Sequence, residues 1–426
     1  MSLRNAWLAC ALLTIASPPV ALQAQESGVR FGGEVRVRHE LERPITTGSF
    51  DQFTLLRTRL GVQAALAEGA RALIQFQDSR VFGEESSTFD ASAELLDLHQ
   101  GYLELVQPAL GRQLTLRAGR QEMILGNERL VGAVGWSNTG RSFDGARLDV
   151  AAPDGGRCFS VFAATVAERG ERFSAGAEDD DHLFAGLTVG GGPLEAWLLH
   201  DRAATYRSFT GVDRTTLGAR ADVALGGAFD AWLEGAYQAG NQVQGVALDQ
   251  DIGAWFAGGR LSWDAAAGAL TGLSAGVDYL SGDEDPLDGN YGAFNTLYAT
   301  NHKWYGYLDL FLDPAGRTAD RGLIDAVATG RLNAVGDHTL QVDVHRFWTA
   351  AEQSSAEARA LGWELDLTLP VPLGPTHALL LGYSAFRNGA AAPLAGLGGD
   401  GETWHFAYLQ ATVAFPAASG SRGSAR

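Results

Sequence analysis

The sequence predicts an all-β fold: a transmembrane antiparallel β-barrel of about eighteen strands with short periplasmic turns and long external loops. Three observations predict it. Apolar and polar residues alternate, short and long connections alternate, and the last strand ends on an aromatic residue, Phe415. After residue 24 the chain has no apolar run of the ~20 residues that a membrane helix requires. Only helices and closed barrels pair every backbone polar group inside lipid, so the alternation predicts a barrel.

Alternation with a period of two recurs in segments of about ten to fourteen residues along the chain. In the first segment, Val35 and Val37 alternate with Glu34, Arg36 and Arg38. Lipid covers one face of such a strand and water the other, so each polar set is expected to face the lumen. Tryptophans at strand ends are expected to form interfacial belts: Trp232, Trp263, Trp363 and Trp404.

The connections give the strand number. Eight short and nine long ones make seventeen connections and therefore eighteen strands, with both chain ends in the periplasm. A strand-like segment at 305–312 is assigned to the seventh long loop, because counting it would make the number odd. The long connections are predicted near 43–51, 81–93, 124–140, 167–180, 203–212, 241–250, 282–320, 350–357 and 389–401.

The N-terminal residues predict secretion. Arg4, an apolar run over 6–16 and small residues up to Ala24 form the pattern of a signal peptide over residues 1–24. Residues 25–415 then form the barrel, and 416–426 form a disordered C-terminal tail. We therefore expect the protein in the outer membrane of a Gram-negative cell, in contact with its lipid.

Composition excludes several classes of protein. With 50 acidic and 32 basic residues the net charge is −18, which argues against nucleic acid as a partner. The mature chain would keep one cysteine, Cys158, so no internal disulfide builds the fold. We expect no cofactor and no metal site. Acidic residues cluster in two predicted loops, where we expect them to form a solvated rim. A second interpretation is that they bind calcium, through Asp179, Asp181, Asp283 and Asp285.

Arginines dominate the predicted inner face of the first six strands. Alternation turns these residues inward: Arg36, Arg38, Arg57, Arg59, Arg117 and Arg147, against Glu34, Glu40, Glu104 and Asp149. A wall of this kind selects ions by sign, and the planar guanidinium suits carboxylates, which predicts a path for anions. The alternative is that these arginines pair with lumen acids and simply fill a polar interior.

Several ordered motifs over residues 30–310 resemble the alginate-export family of outer-membrane proteins. They are Leu56–Gly61, Gln75–Arg80, His99–Glu104, Gly119–Glu122, Gly126–Leu130, Asn138–Gly145, Ser281–Asp283 and His302–Asp309. The resemblance implies an arginine-lined pore that secretes a polyuronate such as alginate. It implies further pathway residues, namely Arg80, Arg120, Arg129, Arg141 and Lys303, with Asp78, Glu104 and Asp144 as counter-charges. By strict alternation Arg120 falls on the lipid side, so the resemblance requires a bulge or a strand end there.

The sequence therefore predicts passive transport of anionic solutes, with export of an acidic polysaccharide and periplasmic secretion partners. No long periplasmic turn offers a plug, so a general anion-preferring porin for acidic sugars stays open as an alternative. A surface barrel enzyme is a further alternative; it requires a nucleophile beside a base, and no serine is clearly paired with His182, His200 or His302. The last alternative is a structural barrel with a closed lumen.

Overall fold

A computed structural model describes residues 28–43, 49–84, 96–109, 111–152, 156–167, 181–203, 211–244, 248–265, 268–334, 336, 338–354 and 358–415. The predicted signal peptide (1–24) and tail (416–426) lie outside these residues. The described barrel strands are β1 (Val29–Arg43), β2 (Asp51–Ala67), β3 (Ala70–Val81), β4 (Asp97–Ala109), β5 (Arg112–Gln121), β6 (Phe143–Ala151), β7 (Arg157–Ala167), β8 (His182–Gly191), β9 (Leu194–Ala203), β10 (Gly211–Gly226), β11 (Phe229–Gln244), β12 (Leu248–Asp264), β13 (Leu270–Leu280), β14 (Leu323–Asn333), β15 (Thr339–Trp348), β16 (Ala360–Pro372), β17 (His377–Asn388) and β18 (Thr403–Phe415).

The strands close into one barrel. Each pairs antiparallel with its neighbours in sequence, and β18 pairs with β1 from Gly33 opposite Phe415 to Arg43 opposite His405. Closure leaves no free sheet edge, which is the condition for spanning lipid with strands. The predicted eighteen-stranded antiparallel barrel is confirmed.

The alternation of short and long connections holds with one exception. A long connection was expected at 241–250, but β11 ends at Gln244 and β12 begins at Leu248. Gln242 pairs with Gln250 in the ladder, so these polar residues extend the two strands instead of ending them. The segment 305–312 contributes no barrel strand and lies in the long loop between β13 and β14, as predicted.

Short elements lie in the long loops. A two-residue strand, Asn290–Tyr291, pairs in parallel with β12. A helical turn at Pro314–Arg317 and two 3-10 turns, Asn301–Lys303 and Ala392–Ala395, complete the regular structure of the described residues. None of the described helices is long and apolar enough to cross a membrane.

The two faces of the wall differ in chemistry. On β16, Trp363 and Leu365 point outward and are 51% and 37% exposed, whereas Glu364 and Asp366 point inward and are buried. Of the tryptophans expected in belts, Trp263 and Trp363 lie on the outer face. Trp232 and Trp404 do not: Trp232 stacks on Trp304 inside the barrel, and Trp404 donates to the Leu397 carbonyl. Loops that fold into the lumen supply buried partners for these two rings.

Candidate functional site: a lumen filled by loops

The loop between β5 and β6, residues 122–142, folds into the lumen and is held by arginines of the first two strands. Arg36 donates to the carbonyls of Gly135 and Ser137, both at 2.8 Å. Arg57 donates to the same two carbonyls at 3.0 Å, and also to Glu34 at 2.7 Å. Both arginine residues are 4% exposed. The structure therefore places them as anchors of a loop, with little surface open to a solute.

Arg38 holds the same loop by a stacked arrangement. It donates to the Trp136 carbonyl at 2.7 Å, and its guanidinium carbon lies 3.7 Å from the centre of the Trp136 ring. The other face of Trp136 stacks on His302, with ring centres 4.2 Å apart. Asp309 accepts hydrogen bonds from both rings, at 3.1 Å from Trp136 and 2.6 Å from His302. This stack fixes the loop against β1 and against the loop between β13 and β14.

Arg59 and His99 both bind Glu122, at the start of the inward loop. Arg59 Nη1 lies 3.2 Å from Glu122 Oε1, and His99 Nε2 lies 2.8 Å from the same oxygen. Burial raises the pKa of Glu122, but the hydrogen bond from His99 and the charge of Arg59 outweigh burial and lower the pKa below its usual value. Glu122 is therefore an ionised tether between the loop and the wall.

The loop between β13 and β14, residues 281–322, docks on the first loop. Gly132 donates to the Tyr298 carbonyl at 2.9 Å, and Tyr298 donates to the Leu130 carbonyl at 2.8 Å. Arg141 donates to the carbonyls of Tyr298 and Ala299, the latter at 3.1 Å. Two loops that approach from different sides of the barrel thus share a short ladder across the lumen.

Arg129 lies at the centre of this junction. It forms an ion pair with Asp278 of β13 at 2.6 Å and donates a hydrogen bond to the Tyr305 hydroxyl at 3.0 Å. Its guanidinium carbon lies 3.8 Å from the centre of the Trp304 ring. Burial lowers its pKa, but the Asp278 charge outweighs burial and raises the pKa above its ordinary value. Lys303 is half exposed beside this site, 3.5 Å from Glu128.

A third loop, 389–402, completes the filling of the extracellular half. Leu397, Ala391 and Phe386 are fully buried in one apolar cluster with residues of the other two loops. Two cavities flank the junction. One of about 310 Å³ is lined by residues that include Arg38, Trp136 and Asp309, and one of about 380 Å³ by residues that include Asp201, Arg214 and Tyr298. The loops therefore narrow the lumen at the end of the barrel where the long connections lie.

Below the loops, the periplasmic half of the lumen carries a ladder of arginines and shared carboxylates. Glu104 binds both Arg71 and Arg117, the latter at 2.6 Å. Asp149 lies 2.8 Å from Arg147 and 3.8 Å from Arg157. Glu195 continues the series, at 3.4 Å from Arg157 and 3.1 Å from Arg220. Side chains of Arg71, Arg117 and Arg157 are 30–42% exposed, so this ladder is open to the lumen.

Four residues that the family resemblance had assigned to the pathway lie on the outer face. Arg57 pairs with Ser79 and Arg117 with Arg147 across the ladders, and these residues point inward. The neighbouring positions therefore point outward: Asp78, Arg80, Arg120 and Asp144. Arg80 binds Asp78 at 2.8 Å and Arg120 binds Asp144 at 2.7 Å. The expectation that Arg80 and Arg120 contact solute in the lumen, with Asp78 and Asp144 as counter-charges, is corrected, because the pairing of β2 with β3 and of β5 with β6 runs unbroken through these positions.

The acidic loop residues form no metal site within the described ranges, where no group of three or more candidate ligands lies close together. Asp181, Asp283 and Asp285 belong to these ranges, and Asp179 lies outside them. The calcium interpretation has no support from the described residues.

Sequence reasoning missed Arg71, Arg157 and Glu195 of the ladder. Arg71 follows a tight turn and shares the parity of Gln75 and Gln77, so alternation alone identifies it. Arg157 faces inward because a bulge shifts the register between Val150 and Ala151, and no residue pattern signals that shift.

A closed barrel with an apolar outer wall, a charged inner wall and loops folded into its lumen defines an outer-membrane channel protein. The alginate export family matches residues 28–396, and the chain belongs to that family. This confirms the resemblance and the location in the Gram-negative outer membrane.

Solved structures of Pseudomonas aeruginosa proteins share the fold. OpdO is 15% identical with a TM-score of 0.57, covering 91% of this chain and 97% of its own. OpdL is 14% identical with a TM-score of 0.56, covering 91% and 98%. The outer membrane protein OprD is 11% identical with a TM-score of 0.57, covering 91% and 93%. No curated protein matches the chain.

Proposed function

We propose that this barrel is a channel for passive transport of anionic solutes, and that its role is export of an acidic polysaccharide such as alginate. The observation that carries the proposal is the ladder of the periplasmic half, in which carboxylates are shared between arginines. Glu104 lies between Arg71 and Arg117, and Glu195 lies between Arg157 and Arg220. Sharing leaves guanidinium donors available to a passing carboxylate, which arginine binds well.

Planar-bilayer recording tests the anion preference. Under a salt gradient we expect a reversal potential that favours anions in the wild type. The double variant Arg117→Gln with Arg157→Gln should shift the potential toward cations, because it removes two lumen charges. Arg202→Gln is the control, since Asp201 and Arg214 pair inward and Arg202 therefore faces out. Cation selectivity of the wild type would contradict the proposal.

A second candidate is a general porin for acidic sugars or other small anions. It is favoured by the loops, because cavities of about 310 and 380 Å³ beside the junction suit small solutes better than a polymer. A length series of oligouronates separates the two candidates. Current block that strengthens with chain length supports polysaccharide export, whereas equal block by mono- and oligouronates supports the general porin.

We propose no catalytic activity for the barrel. One serine lies near a histidine in the arrangement that a hydrolase would use: Ser142 Oγ is 3.4 Å from His99 Nδ1. Glu122 lies 2.8 Å from the other ring nitrogen of His99. The first distance exceeds the ~3.2 Å reach expected of a nucleophile and its base. Glu122 also binds Arg59, so these groups are explained as a loop tether. Hydrolysis of an ester probe that Ser142→Ala abolishes would contradict this.

A further inference from the structure

The outer face of the barrel carries a run of basic residues at the extracellular ends of β15, β17, β18 and β1. Arg346 lies two residues before the end of β15, Arg387 one residue before the end of β17, and His405 two residues after the start of β18, while Arg43 is the last residue of β1. Their inward neighbours Phe347, Phe386 and Phe406 are buried against the loops. These four basic residues, here called the basic collar, therefore face the lipid side at the level where the long loops begin.

The ladders place the collar residues next to one another. Trp363 pairs with Arg346 on one side and with Arg387 on the other. His405 pairs with Arg43, and Ala385, two residues before Arg387, pairs with His405. Arg346 and Arg387 are thus two strand spacings apart, about 10 Å.

The collar differs from the rest of the outer face in its charge balance. Elsewhere on the outer face, three basic residues have acidic partners: Arg80 with Asp78, Arg120 with Asp144, and His200 with Asp213 at 3.8 Å. On β15 to β18 and β1, the outward positions of the described strands contain no aspartate or glutamate. Within the described residues Arg346 and Arg387 form no ion pair. This surplus of positive charge occurs in a chain whose net charge is −18.

Aromatic rings hold one of the arginines in place. The Arg346 guanidinium carbon lies 4.7 Å from the ring centre of Trp363 and 5.2 Å from that of Trp348. Contact with ring faces leaves the N–H edges of the guanidinium open to an anion. Tyr383 holds the His405 ring through a 2.9 Å hydrogen bond.

We propose that the basic collar binds the phosphorylated headgroup of a lipid in the outer leaflet. Arginine forks fit phosphate oxygens, and tryptophan and tyrosine rings favour the interface between headgroups and acyl chains. Below the collar, the same outer rows continue as leucine and valine, for example Leu365 and Leu367, which suit the acyl chains of that lipid. The ligand class is therefore a phosphate-bearing amphiphile, with its phosphate at Arg346 and Arg387.

Native mass spectrometry of the detergent-solubilised full barrel, titrated with lipid A, tests the proposal. Bisphosphorylated lipid A should bind, and enzymatically dephosphorylated lipid A should bind much more weakly. Arg346→Gln with Arg387→Gln should weaken binding of the phosphorylated lipid by about tenfold or more, since it removes two charge-assisted contacts. The matched control, Arg80→Gln with Arg120→Gln, removes two outward arginines that already have acidic partners and should stay within about twofold of wild type.

Retained heat-modifiable migration in gels shows that each variant folds. Equal weakening in both double variants, or equal binding of the dephosphorylated lipid, would overturn the proposal. Inorganic phosphate at the same concentration should not compete with lipid A. Full competition by phosphate would show a site for free anions and would overturn the lipid assignment.

Discussion

Arg129 of the inward loop lies 2.6 Å from Asp278 of the barrel wall, and both side chains are 2% exposed. Neither residue is near the other in sequence, so this ion pair forms only when the loop has entered the lumen. A buried ion pair adds little net stability when it is intact, but removal of one partner leaves an unpaired charge buried in the protein. The pair therefore makes the filled lumen sensitive to a single substitution.

Asp278→Ala should release the loop junction. An unpaired buried charge costs about 3–5 kcal/mol, so the loops are expected to leave the closed arrangement in this variant. Single-channel conductance should rise, while the barrel remains folded. Asp264→Ala is the control, because Asp264 is 59% exposed beside Arg331 and such pairs contribute about 0.2–1 kcal/mol. Unchanged conductance in Asp278→Ala would refute the role of this pair.

Gly132→Val should separate the two loops. A Cβ atom at Gly132 would lie 2.1 Å from Thr300 Oγ1 and 2.7 Å from Glu128 Oε2, so the side chain cannot fit while the ladder stays formed. We expect higher conductance and faster cleavage of the loop by external protease. Gly135→Val, three residues further on, is the matched control, since a Cβ atom there meets nothing within 4 Å. Equal effects of the two variants would count against a steric junction.

The fold was predictable because lipid imposes one face on every strand. Apolar and polar residues alternate around Val35 and Val37 because one face of the strand meets lipid and the other meets the lumen. The connection lengths then give the strand number. The error at 241–250 has a physical origin: beyond the membrane the outward face meets water, so exposed outward polar residues such as Asn241, which pairs with Asp251, no longer mark a strand end.

The same limit explains the errors in the site. Asp78 and Arg80 continue the outward row of Ile74 and Phe76, so alternation already placed them outside the lumen. The resemblance pointed the other way, because charged residues near a pore suggest contact with solute. Anchoring of loop carbonyls by Arg36 and Arg57 had no signal in the sequence at all, since it depends on contacts about 80–100 residues apart.

Arg36→Gln with Arg57→Gln should loosen the inward loop. Both arginines donate to the Gly135 and Ser137 carbonyls, and hydrogen bonds to charged groups contribute about 1.5–3 kcal/mol each. We expect larger current fluctuations and faster protease cleavage within 122–142. Arg202→Gln, on the outer face, should leave both measurements at the wild-type level. Unaltered fluctuations in the double variant would show that the loop is held by its apolar contacts alone.

Acid should weaken the tether at Glu122. Its lowered pKa means that the folded state stabilises the carboxylate, so this stabilisation is present above the usual glutamate pKa of about 4.3 and is lost as pH falls through the folded value. Protonation removes the negative charge that attracts Arg59 and makes Glu122 a weaker acceptor for His99. Conductance of the wild type should therefore rise when the pH falls below the usual glutamate range and the tether protonates.

Glu122→Gln separates this tether from the other acids of the lumen. Glutamine keeps the size of the side chain but carries no charge for Arg59 and His99, so the variant should show raised conductance already at neutral pH. The pH dependence of conductance that remains in the variant comes from the other carboxylates of the lumen. The difference between the conductance–pH curves of the wild type and the variant is therefore due to Glu122. If that difference is constant across the acid range, protonation of Glu122 does not control the loop, and the tether acts by shape alone.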